Sequence, residues 1–138
     1  MWVHNLINKG VPLLDFQTNL YKQIAEDGAF PATFLGKYKA LCINSPIQNS
    51  RVLESSYDVS EYDIMVVYSY KNLKWTFSLY TVQDNVPCGD LAKQCGEEGP
   101  YKSGGGHQKA AGFQTTIEFL SLYIKPLGGE NVLVETKT

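Results

Sequence analysis

Two adjacent strand-like runs constrain this chain more than any other feature. Tyr62–Tyr70 (YDIMVVYSY) is rich in β-branched and aromatic residues and is apolar at most positions, the pattern of a strand covered on both faces. Lys71-Asn72-Leu73-Lys74 then reads as a turn, and Trp75–Thr81 (WTFSLYT) alternates strictly. Trp75, Phe77 and Leu79 share one face, Thr76, Ser78 and Tyr80 the other. The two runs predict an antiparallel hairpin at the centre of a sheet, and a hairpin alone cannot bury its apolar surface. The remainder must supply neighbouring strands and covering helices. At 138 residues the chain has the length of one ordinary domain, read as 1–138 with a core over about 10–127.

The covering elements are legible in part. Val11, Leu14, Leu20, Tyr21, Ile24 and Ala25 recur at three-to-four spacing and predict a helix opened by Pro12 and stopped by Gly28. Tyr38–Asn44 reads as a strand ended by Ser45-Pro46, and Ser50–Ser55 as a short helix. Pro87–Gln94 reads as a helix stopped by Gly96, with Leu91 and Cys95 inward. Gln114–Ile117 is expected as a strand, Glu118–Lys125 as a helix ended by Pro126 and Gly128-Gly129, and Val132–Val134 as a possible edge strand. The expected fold is α/β, a mixed β-sheet of four to five strands with helices packed on it.

Charge narrows the function. The chain carries 12 Lys and Arg against 14 Asp and Glu, a net charge of −2, whereas duplex binders neutralise phosphates with a basic excess. Any phosphate must be met by a small local site. Three cysteines and two histidines support neither a disulfide framework nor zinc. They fit reduced thiols in a cytoplasmic protein. No basic start followed by an apolar run suggests a signal peptide, and no stretch has the length of a membrane span. A membrane is therefore not an expected partner.

Chemistry concentrates at residues 103–113, Ser-Gly-Gly-Gly-His-Gln-Lys-Ala-Ala-Gly-Phe. Consecutive glycines lose much backbone freedom on folding. They suit left-handed geometry, or backbone that something approaches closely. Their N–H groups can form an anion nest, here expected ahead of a helical turn. His107 can add a donor and, when protonated, a charge. Lys102 and Lys109 flank the run. No Gly-Lys-Ser/Thr follows, so this is not the P-loop of nucleotide triphosphatases.

The segment Ser103–Phe113 resembles the signature of the DHH-associated domain, the C-terminal substrate-binding domain of DHH-superfamily phosphoesterases. There a glycine run and His precede Ala-Ala-Gly-Phe. The context agrees: Ser78-Leu79-Tyr80-Thr81 and Val86–Lys93 are similar to the family's Ser-Leu-Arg-Ser strand end and the short helix that follows it. The resemblance extends over most of residues 10–117. It implies that Ser103, Gly104, Gly105, Gly106 and His107 hold a phosphate or nucleotide, with Lys102, Lys109, Ser78 and Tyr80 around it. The ligand would be a nucleotide or the end of a short single-stranded nucleic acid, presented to an Asp-His-His catalytic domain in cis or in trans. That domain would use a divalent metal such as Mn.

Two departures bear on this expectation. Tyr80 stands where the family has arginine, which removes a fixed charge and a bidentate fork; Lys102, Lys109 or Arg51 would have to compensate. The Asp-His-His motif is absent, and His4 and His107 alone cannot build a paired-metal site. No catalytic residue, resident metal or other cofactor is expected in this chain. The alternatives are the C-terminal part of a complete DHH phosphoesterase, and an interaction protein that keeps the fold without the ligand.

Overall fold

The computed structural model describes residues 16–116 and 123–127. The expectations for residues 1–15, Ile117–Leu122 and the tail from Gly128, including the strand at Val132–Val134, lie outside these residues.

Residues 16–28 form helix α1. The chain then runs through β1 (Phe30–Phe34), β2 (Tyr38–Asn44), α2 (Arg51–Glu54), β3 (Ile64–Lys71), β4 (Lys74–Tyr80), α3 (Cys88–Glu98), β5 (Gly105–Gly106), β6 (Ala110–Thr115) and β7 (Ile124–Pro126). All seven strands join one sheet in the order β5-β6-β4-β3-β2-β1-β7. Among the described residues only β2 and β3 are parallel; the other pairs are antiparallel. The mixed α/β class is as expected, but the sheet has more strands than four or five. The additions β1, β5 and β7 are short, and each contains proline or consists of glycine, so none carries a strand signature of its own.

The expected central hairpin is β3–β4, pairing Met65 with Tyr80 through Lys71 with Lys74. Both faces of the sheet are buried, by different elements. On one face Trp75, Phe77 and Leu79 pack with Val86, Cys88, Leu91, Ala92 and Cys95 of the α3 layer and with Phe113 and Tyr123. Phe77 and Phe113 stack in parallel at 4.8 Å, and Tyr123 meets both edge-on, a geometry aromatic quadrupoles favour. On the other face Leu41, Ile43, Met65 and Val67 pack with Val52 and Leu53 of α2, and Tyr21 and Ile24 of α1 lie against them.

Three expectations are corrected. Helix α3 does not stop at Gly96 but runs to Glu98; Gly96 lies under the Ser103 carbonyl, where any side chain would collide, so it is a packing glycine. The strand expected at Gln114–Ile117 is Ala110–Thr115. Ile124 and Lys125, the end of the expected helix 118–125, form strand β7 together with Pro126 on the free edge of β1, where the missing proline N–H costs no ladder bond.

Candidate site at the glycine edge of the sheet

The glycine run is an edge strand. All three glycines have φ +142°, and no helical turn follows them. Residues 105–112 form a β-hairpin in which Gly105 opposes Gly112 and Gly106 opposes Ala111. The His107 N–H closes it by donating to the Ala110 carbonyl at 2.9 Å. The expected nest ahead of a helix is thus replaced by extended backbone, whose bonding pattern follows from register. Antiparallel pairs alternate between exchanging and not exchanging hydrogen bonds. The His107–Ala110 bond makes Gly105–Gly112 an exchanging pair and Gly106–Ala111 a non-exchanging one. The Gly106 N–H is therefore directed away from β6, off the edge of the sheet.

The three glycines have different surroundings. A side chain at Gly104 would fall on the Ala92 carbonyl of α3, and the Gly106 carbonyl lies 2.8 Å from where a Cβ on Gly89 would stand. Gly104 and Gly89 are small because the helix sits on the strand, whereas a Cβ on Gly106 would collide with Ala111 of its hairpin partner β6. A Cβ at Gly105 would meet nothing within 4 Å.

Cross-strand register then assembles a shelf on the face away from α3. One row runs Gly105–Gly112–Ser78, without a side chain until Ser78; the next runs position 107–Ala110–Tyr80. Neighbouring strands lie roughly 4.8 Å apart, so Ser78 stands about 10 Å from Gly105. The α1–α2 layer reaches Tyr80, and Gly105, Gly112, Ser78 and Tyr80 are half-exposed while His107 and Ala110 are exposed. The structure thus brings Gly105, Ser78 and Tyr80 into adjoining rows, with His107 at the hairpin tip beside them.

The remaining candidates sit elsewhere. The Lys102 ammonium donates to the Glu97 carbonyl at 3.0 Å, at the far end of α3. The Ser103 hydroxyl accepts from the Gln114 N–H at 3.3 Å. Lys109 pairs with Asp84 at 3.2 Å, both exposed. Arg51 lines a separate cleft of about 360 Å³ between α1 and α2.

Two features went unnoticed in the sequence. A polar cleft of about 490 Å³ borders the glycine edge, lined by Pro87, Gly89, Asp90, Lys93, Gly105, Gly106 and Gln108. The Cys88 N–H at the start of α3 donates to the Gln108 carbonyl at 2.9 Å, which fixes the helix start against the hairpin tip. The proximity of Val86–Lys93 to the glycine run was the available signal. The second feature is Gln48, which holds Ser78 and Tyr80 by hydrogen bonds; its polar loop gave no signal. Among the described residues no group of three or more His, Cys, Asp or Glu is placed to hold a metal ion.

No family model matches the chain, and no curated protein matches it by sequence. Its fold does have solved counterparts. A pGpG-specific phosphodiesterase from Vibrio cholerae is similar with a TM-score of 0.56 at 13% identity, over 94% of this chain and 42% of that one. The DHH domain of a member of the s1p family of ribosomal proteins is similar with a TM-score of 0.52 at 15% identity, over 96% of this chain and 32% of that one. The chain therefore shares its fold with both proteins, one of them described as a DHH domain, in keeping with the resemblance at Ser103–Phe113. The chain spans less than half the length of either solved protein. Among the described residues no helix is long and apolar enough to cross a membrane.

Proposed function

We propose that this domain recognises a phosphorylated ligand, a nucleotide or the end of a short single-stranded nucleic acid, at the glycine edge of its sheet. One observation carries the reading: the Gly106 N–H points off the sheet edge beside a polar cleft, next to Gly105, whose outer side is open. A backbone donor without a partner among the described residues, on backbone without side chains, suits close approach of an anion. Lys93 and the first turn of α3 line the same cleft, and helix N-termini favour anions. His107 closes the hairpin and can add a charged donor. Catalysis belongs to an Asp-His-His domain in another chain or elsewhere in a longer protein. The phosphodiesterase activity in the name of one solved counterpart accords with that division of labour.

The test is calorimetric titration of the chain with nucleoside monophosphates and short single-stranded oligonucleotides, with and without a terminal phosphate. Phosphorylated ligands are expected to bind in preference to their dephosphorylated forms. His107→Ala should weaken them by about 1.5–3 kcal/mol, the range for a charge-assisted hydrogen bond. The chain alone should hydrolyse none of them, with or without manganese. Equal affinity with and without the phosphate would overturn the reading and favour an interaction module that has kept the fold.

A further inference from the structure

The hydrogen-bond polarity of the shelf can be derived atom by atom, starting from Gln48. Its side-chain nitrogen lies 2.9 Å from the Ser45 carbonyl oxygen, which can only accept, so the amide presents N–H there. The same nitrogen lies 3.1 Å from the Ser69 hydroxyl, which uses the second N–H. The amide oxygen is left for Ser78, whose hydroxyl is 2.6 Å away. An amide oxygen only accepts, so Ser78 donates its single hydrogen inward. The Tyr80 hydroxyl likewise donates to the backbone carbonyl of Gln48, at 3.2 Å. Both hydroxyls on the inner side of the shelf have spent their protons, and each retains only lone pairs for a ligand. The edge offers donors instead: the Gly106 N–H points outward and His107 can donate, while the Gly106 carbonyl, also directed off β6, lies against Gly89 of α3. Gly105 and Gly112 leave the span between them free of side chains.

We propose that Gln48 makes the inner shelf an acceptor, so that the group placed over Ser78 and Tyr80 is a hydrogen-bond donor, the exocyclic amine of a nucleobase or a sugar hydroxyl, and not a phosphate. The inference rests on the phosphate reading above and extends it. The ligand it selects carries an anion at one end and a donor about 10 Å away, two strand spacings, with its middle lying over Gly112. A second phosphate at the inner end would meet lone pair against lone pair, an unpaired contact that costs affinity. This assignment moves Ser78 from the phosphate end of the ligand to the nucleoside end, and it makes Gln48 a positioning residue.

Two measurements test it, one of them without ligand. In the free protein, NMR should find the Ser78 hydroxyl proton slowed in exchange and coupled to the Gln48 side-chain carbonyl, with the signal lost in Ser78→Ala. A Ser78 hydroxyl that exchanges freely would overturn the inference and leave the phosphate reading untouched. The second measurement titrates wild type and Ser78→Ala with adenosine, guanosine and cytidine monophosphates. Each is paired with its counterpart lacking the exocyclic amine, and with its 2′-deoxy form. In wild type, loss of the donor should weaken binding about tenfold, one neutral hydrogen bond; in Ser78→Ala it should change nothing. Dependence on the amine assigns the donor to the base, and dependence on the 2′-hydroxyl assigns it to the sugar; either supports the acceptor shelf. The inference falls if Ser78→Ala weakens all ligands equally or weakens inorganic phosphate. Binding that needs His107 but is indifferent to both donors overturns it alone, whereas a wild type that ignores the phosphate brings down both readings.

Discussion

At the scale of the residue, adjacent glycines answer to different requirements. Gly104 and Gly105 share a φ of +142°, a conformation that costs a residue with a side chain on the order of 1–3 kcal/mol. Only Gly104 also lies against the Ala92 carbonyl. Gly104→Ala should therefore cost about 1–3 kcal/mol more in stability than Gly105→Ala, the usual penalty of overpacking. Urea denaturation of both variants measures the difference, and equal losses would mean that α3 can move away from the strand. Gly105→Ala should instead act on binding, because its methyl would stand in open space at the glycine edge. The sequence presented three like residues in a row, and only the direction of each Cα in the edge strand tells the packing positions from the open one.

At the scale of the element, the central hairpin was legible because period-two alternation and a polar turn coincide in Trp75–Thr81 and Lys71–Lys74. The turn itself holds a local conflict. Asn72 and Leu73 have φ +54° and +64°, as a type I′ turn requires at both central positions, and Leu73 is 75% exposed. Asparagine tolerates this conformation and leucine does not. Leu73→Gly should stabilise the protein by about 1 kcal/mol, the left-handed penalty less the extra freedom of an unfolded glycine. The expected signature is a higher urea midpoint with an unchanged slope. A lower midpoint would show that the exposed leucine makes contacts worth more than its strain. Strands β1, β5 and β7 were not legible for the opposite reason: Phe-Pro-Ala-Thr-Phe, Gly-Gly and Ile-Lys-Pro have no period of their own, and they become strands because β2, β6 and β1 offer them ladder partners.

At the scale of the whole molecule, the core between the sheet and α3 buries Cys42, Cys88 and Cys95 completely. Burial pushes the Cys42 and Cys95 thiols up to about 12 and Cys88 up to about 11, with Glu98 adding to the shift at Cys95. The folded state therefore favours neutral thiols. Their contribution to stability is complete below the ordinary thiol pKa of about 8.5, and it is lost as pH rises toward the folded values. Iodoacetamide should label none of the three in the native protein near pH 8 and all three in urea, and the urea midpoint should fall progressively from about pH 9 upward. Labelling of any one under native conditions would show that its layer opens. The sequence by itself determined the mixed α/β class, the central hairpin and the resemblance of Ser103–Phe113, because periodicity and a contiguous motif are properties of neighbours along the chain. Tertiary structure decided which glycine faces outward, that Ser78 lies in one row with Gly105 across Gly112, and that Gln48 takes the protons of Ser78 and Tyr80. Those relations join residues tens of positions apart through strand register and a loop bond, and no local pattern encodes them.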